Sequence, residues 1–194
     1  MLAALTTLYE VTAGAGWKVN TNWLGAATAD PCTGRWYGIY CVFGAVLRVE
    51  LNKNRMTGTL PTELALLGGE LKGSLDLFGN VGLSGTIPTE LGLLTAMNTG
   101  LLLHENDRLS GTLPPQLSQL GSLQYLYAHS DPRLSGTIPS ELGSLTNMRK
   151  LYLHGDTFSG TVPSELARLT PDECATTTAP RACILPVCNL LSKP

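Results

Sequence analysis

One six-residue phrase recurs five times along the chain, as Met56-Thr-Gly-Thr-Leu-Pro61, Leu83-Ser-Gly-Thr-Ile-Pro88, Leu109-Ser-Gly-Thr-Leu-Pro114, Leu134-Ser-Gly-Thr-Ile-Pro139 and Phe158-Ser-Gly-Thr-Val-Pro163. Its glycines, Gly58, Gly85, Gly111, Gly136 and Gly160, lie 24 to 27 residues apart. A unit of that length cannot bury its own apolar face, whereas stacked copies bury one continuous core, so the period commits the chain to a solenoid. A polar residue precedes each glycine: Asn54, Asn80, Asn106, Asp131 and Asp156. Ahead of each runs an alternating segment, Val49-x-Leu51, Leu75-x-Leu77, Leu101-x-Leu103, Leu126-x-Ala128 and Leu151-x-Leu153. Period two puts those residues inside and their neighbours outside, as in a strand. After each proline, leucines three apart, as in Ser140-Glu-Leu-Gly-Ser-Leu145, predict a helical turn on the outer wall.

The phrase, followed by a Glu-Leu-Gly-x-Leu turn and a Leu-x-Leu-x-x-Asn strand, resembles the plant-type leucine-rich repeat of receptor-kinase ectodomains and polygalacturonase-inhibiting proteins. The resemblance covers roughly residues 46–169. It implies an α/β solenoid: a short right-handed superhelix of about five repeats, with parallel strands on a concave face and an inward Asn ladder at the bend. Asp131 and Asp156 depart from Asn, and a carboxylate lacks the amide's donors, so those two rungs should be less well satisfied.

The ends read as caps, giving an N-terminal cap over 1–45, repeats over 46–169 and a C-terminal cap or tail over 170–194. Leu5, Leu8 and Val11 form a helical stripe. Trp17, Trp23, Cys32, Trp36 and Cys41 resemble the family's N-terminal cap, and the resemblance implies a Cys32–Cys41 disulfide. Cys174, Cys183 and Cys188 sit in a Thr/Pro-rich stretch; one disulfide is expected there, with three pairings open. Cysteines confined to the ends point to an oxidising compartment, hence an extracellular or cell-surface location. The opening Met1–Leu5 is too short for a signal peptide. Charged residues make up only 14% of the chain and leave no basic stripe, which argues against nucleic acid. No run approaches the roughly 18 apolar residues of a membrane span.

Aligning the strands turns their outward residues into columns. One holds Glu50, Asp76, Leu102, Tyr127 and Tyr152; the next holds Asn52, Phe78, His104, His129 and His154, gathering all three histidines. Ahead of them come Arg48, Ser74, Gly100, Tyr125 and Lys150. Repeat duplication alone would produce such a column. Exposed Tyr and His also suit protein, peptide or glycan recognition, because they offer apolar bodies with polar tips. That is the expected function, with Phe78, Leu102, His104, Tyr125, Tyr127, His129, Tyr152 and His154 as the site. A face this small implies either modest affinity or joint work with a co-receptor or second subunit. Three imidazoles in a straight column are poorly placed to share one ion, so neither metal nor cofactor is assigned. Closely spaced imidazoles resist being charged together, which predicts binding that changes between about pH 5 and 7.

A second regularity runs through the repeated phrase. Thr59, Thr86, Thr112, Thr137 and Thr161 form a column, with Thr57, Ser84, Ser110, Ser135 and Ser159 two residues earlier. Side chains two apart in a strand face one way, so a flat double row of hydroxyls is expected. Such a row resembles the Thr arrays of ice-binding solenoids and supplies the alternative function. No enzyme is expected: the sequence has no phosphate-cradling loop, nucleophile elbow or His-Glu-x-x-His. Glu63, Glu90, Glu141 and Glu165, with Gln116 in the remaining copy, read as helix-start residues rather than general acids.

Overall fold

The alternating segments build a six-stranded sheet in the computed structural model, which describes residues 1–25 and 30–169. An antiparallel hairpin, Ile39–Val42 with Ala45–Glu50, starts the sheet. Parallel strands Leu75–Asp76, Gly100–Leu102, Tyr125–Tyr127 and Lys150–Tyr152 extend it one rung at a time. The inward residues Val49, Leu51, Leu75, Leu77, Leu101, Leu103, Leu126, Ala128, Leu151 and Leu153 are all buried in one core. The repeated phrase forms a second, five-stranded parallel sheet from Thr57–Thr59, Gly82–Thr86, Arg108–Gly111, Arg133–Gly136 and Thr157–Phe158.

The outer wall is tighter than an α-helix. Thr62–Leu67, Thr89–Leu93, Pro115–Gln119, Ser140–Ser144 and Ser164–Arg168 are 3-10 turns, each entered through a proline in extended conformation. The leucine spacing explains this. A three-residue turn brings Leu91 and Leu94, or Leu142 and Leu145, onto one buried face. Among the described residues the only α-helix is Leu2–Val11, which packs across the first 3-10 turn. Its buried stripe is Ala4, Leu5 and Leu8; Val11, expected inside, is exposed. At that end of the helix the buried side chain is Thr12, whose hydroxyl donates to the Leu8 carbonyl at 2.5 Å. Tyr9, Trp17, Trp23 and Trp36 then form one aromatic cluster, with centroids 4.8 to 5.6 Å apart. Cys32 and Cys41 are joined in a disulfide. The expected C-terminal cap and its three cysteines lie outside the described residues.

At the bend, the Asn ladder satisfies backbone groups that neither sheet can reach. Asn80 Oδ1 accepts from the amides of Asn54 and Met56, at 2.8 and 3.1 Å. Its Nδ2 donates to the carbonyls of Leu51 and Leu77, both at 2.9 Å. Asn106 repeats the pattern, accepting from Asn80 N and donating to Leu77 and Leu103. The two Asp rungs do half of this. Asp131 Oδ1 accepts from Asn106 N and Asp156 Oδ1 from Asp131 N, while both Oδ2 atoms are buried without a partner. Burial pushes the Asp131 carboxyl up to about 8 and that of Asp156 up to about 7.

Candidate functional site

Each rung leaves the six-stranded sheet through one residue in the left-handed region: Lys53, Gly79, Glu105, Ser130 and Gly155, with φ between 48° and 78°. The amides of Lys53, Gly79, Glu105 and Ser130 donate to the carbonyls of Phe78, His104, His129 and His154 on the next rung, at 2.7 to 3.1 Å. The ladder therefore continues past the strands, and it fixes the side chain just ahead of each bend. This is what holds Phe78 and the three histidines in register. Residue spacing could not supply it, because only two of the five bends use glycine.

The strand register places Leu102, Tyr127 and Tyr152 side by side, with Gly100, Tyr125 and Lys150 beside one another. Asp76 and Glu50 continue the first of these rows toward the cap. Phe78, His104, His129 and His154 stack in sequence, with centroids 4.6, 4.6 and 4.4 Å apart and planes within 3°, 22° and 11°. Tyr127 and Tyr152 stack at 4.7 Å and 17°, and each meets the His row edge to face. Tyr125 closes the patch, edge on to Tyr127 at 6.2 Å. At the other end Lys53 caps the row, 4.9 Å from the Phe78 ring and 3.9 Å from Glu105. Lys53 was not among the residues expected from the sequence; it sits at the left-handed bend, with φ 48°.

Stacking has an electrostatic consequence. Burial lowers His104 and, with the other two imidazoles beside it, carries His129 down to about 4. The expected pH 5–7 window therefore lies too high for His129, because packing at this depth removes water from the charged form. Two ring nitrogens, Nδ1 of His104 and of His154, are buried without a partner, while His129 Nδ1 lies 3.2 Å from the Ser130 hydroxyl. Near-parallel rings hold their nitrogens side by side. No group of three His, Cys, Asp or Glu among the described residues is arranged to hold a metal ion. Toward the cap the face becomes polar. Asn52 donates to Asp76 at 3.0 Å, and burial raises the Asp76 carboxyl.

The phrase columns behave differently. Thr59, Thr86, Thr112, Thr137 and Thr161 are all exposed. The serines do not form a free second row: Ser84, Ser110 and Ser159 donate to the carbonyls of Gly58, Gly85 and Gly136 on the preceding rung, at 3.0 to 3.3 Å. The strands are also staggered by two residues, so that Thr59 lies beside Ser84 and Thr86 beside Ser110. The flat double row expected from spacing is thus an oblique row of threonines. Glu63, Glu90, Glu141 and Glu165 each sit in the first turn of a 3-10 segment and accept from the hydroxyl just before them.

A repeat solenoid with an aromatic inner face is the class that these features define. No protein-family model matches the chain, and no curated protein does. Solved structures do. A chain of the BIR3–SERK2 complex from Arabidopsis thaliana is 32% identical with a TM-score of 0.70, over 86% of this chain and 89% of that one. The Arabidopsis receptor kinase HAESA, in complex with the peptide hormone IDA and the co-receptor SERK1, gives 28% and 0.69, over 84% of this chain and 27% of that one. A plant ice-binding protein gives 24% and 0.73, over 87% of this chain and 52% of that one, which is a likeness of fold. The chain belongs to the plant-type leucine-rich-repeat proteins.

Proposed function

We propose that this protein is a noncatalytic recognition module, outside the cell or on its surface, that binds an extended peptide or a protein segment along its aromatic rows. The observation that carries this reading is the pair of ring stacks, Phe78–His104–His129–His154 and Tyr127–Tyr152. Stacking consumes the ring faces and turns edges and polar tips outward. A sugar ring needs an exposed aromatic face, whereas a peptide backbone needs donors and acceptors at regular intervals beside apolar edges, so the geometry favours peptide over glycan. The family supports the same direction: the similar structures include a complex of two proteins and a receptor with a peptide hormone and co-receptor. In this reading the solenoid is a right-handed superhelix of about five repeats closed by caps, and a second subunit shares the ligand.

Panning a displayed random-peptide library tests the proposal. Selected peptides bind the wild type and lose about tenfold or more in affinity on the His129→Ala/Tyr127→Ala double variant. Peptides that bind both forms equally move the site elsewhere. The exposed threonine row supports a second reading, adsorption to ice. It requires thermal hysteresis that Thr112→Tyr abolishes.

A further inference from the structure

The two carboxyls of the bend ladder stand on neighbouring rungs, and each holds a bend of the aromatic face. Asp131 Oδ1 accepts from Asn106 N, directly behind His104 and the left-handed Glu105; Asp156 Oδ1 accepts from Asp131 N, behind His129 and the left-handed Ser130. The remaining oxygen of each is buried with no partner. In the asparagine rungs that place belongs to an amide nitrogen, which donates to the strand carbonyl three residues back, Leu77 from Asn80 and Leu103 from Asn106. Three residues before Asp131 and Asp156 stand Ala128 and Leu153. An ionised carboxylate has nothing to donate to such a carbonyl, whereas a protonated one accepts on one oxygen and donates on the other, as the amide does. No cation offsets the charge. The titratable neighbours are Glu105 and Asp107 on the rung before, with His129 and His154 ahead of the two bends. Arg108 and Arg133, at the starts of second-sheet strands, are exposed, and neither is ion-paired among the described residues. Burial, reinforced by Asp156, Asp107 and Glu105, raises the Asp131 carboxyl, and burial raises that of Asp156.

We propose that Asp131 and Asp156 form a proton latch on the aromatic face: protonated, they close the bends behind His104 and His129, and once ionised they leave the ladder for water and release both. The folded state holds these protons more tightly than the unfolded chain, so closure is complete at low pH and lost as pH rises. The face is presented in mildly acidic surroundings and withdrawn in alkaline ones. That a bound peptide senses the change rests on the function proposed above for the rows; the latch itself does not. Amide hydrogen exchange of the full chain, followed by NMR, reads the latch without a ligand. From about pH 6 to about pH 9, protection of Asn106 and Asp131, corrected for intrinsic rate, should fall at least about tenfold. Asn54 and Asn80, whose amides donate to asparagine side chains, should keep theirs. In the Asp131→Asn/Asp156→Asn variant all of these amides should stay level. A peptide with blocked termini and no His or Cys, selected on the wild type at about pH 6 from the displayed library, reads the face. Its affinity should drop about fivefold or more over the same range, and stay level on the variant. Unchanged protection at Asn106 and Asp131, an equal fall at Asn54 and Asn80, or a fall that persists in the variant overturns the latch. Falling protection with level affinity of a row-dependent peptide overturns its hold on the face. A peptide that ignores His129→Ala/Tyr127→Ala speaks against the rows as the site, and the exchange readout then decides the latch alone.

Discussion

Asp131 occupies the place of an amide in the ladder, and its Oδ2 has no partner where Asn80 and Asn106 each donate to two carbonyls. Its carboxyl is raised from 3.8 to about 8, so the folded state holds the proton more tightly than the unfolded chain does. The resulting stabilisation is complete below the unfolded value and is lost as pH rises through the folded one. Stability therefore falls between about pH 4 and 8, with Asp156 adding to the loss up to about 7. Asp131→Asn restores the missing donors. It raises stability at pH 8 by about 1–3 kcal/mol and flattens the slope, as read by urea unfolding at pH 5 and pH 8. A destabilised variant would mean that the carboxylate has a partner that the ladder does not account for. His129 carries the opposite sign: its folded value is lowered to about 4, so its contribution is present above the unfolded 6.5 and lost as pH falls toward 4. The part of ligand binding that rests on His129 should accordingly stay nearly flat from pH 7 to 5 and weaken toward pH 4. Titration calorimetry at pH 7, 5 and 4 checks this, and a midpoint near 6 would contradict it.

Among the elements, the bend does most to define the rung. Asn80→Ala leaves two amides and two carbonyls without their side-chain partner, and should destabilise the protein by about 3 kcal/mol, measured by the urea midpoint. The glycine of the repeated phrase has a comparable role. Gly136 sits at φ 82°, and a Cβ there would lie 2.7 Å from the Thr112 methyl, so both backbone and space demand glycine. Strand, bend and outer turn were all legible in the sequence, because period two, the polar step and leucines three apart each have one physical reading. The ladder's defect was legible too, from the missing donors of Asp. Three features were not. Helix and 3-10 turn share the three-residue spacing, so only the backbone separates them. The stagger of the second sheet depends on inter-strand register, which a within-strand period does not encode. Val11 continued the helical stripe on paper, but Thr12 took the buried place by donating its hydroxyl within the turn.

At the scale of the whole molecule, column reading brought the eight expected residues together because a solenoid maps sequence period directly onto spatial neighbourhood. The missing part was depth: the rings pack on one another, which lowers His104 and His129, consumes the ring faces and recruits Lys53 as a cap. On the proposed function, this face is where the protein meets its partner. Recovery of proteins and peptides from the native extracellular milieu, by immobilised wild type and by the His129→Ala/Tyr127→Ala variant side by side, tests it most directly. Partners should be retained by the wild type and depleted about tenfold or more on the variant, with the fold of both intact. Equal recovery by the two would contradict it.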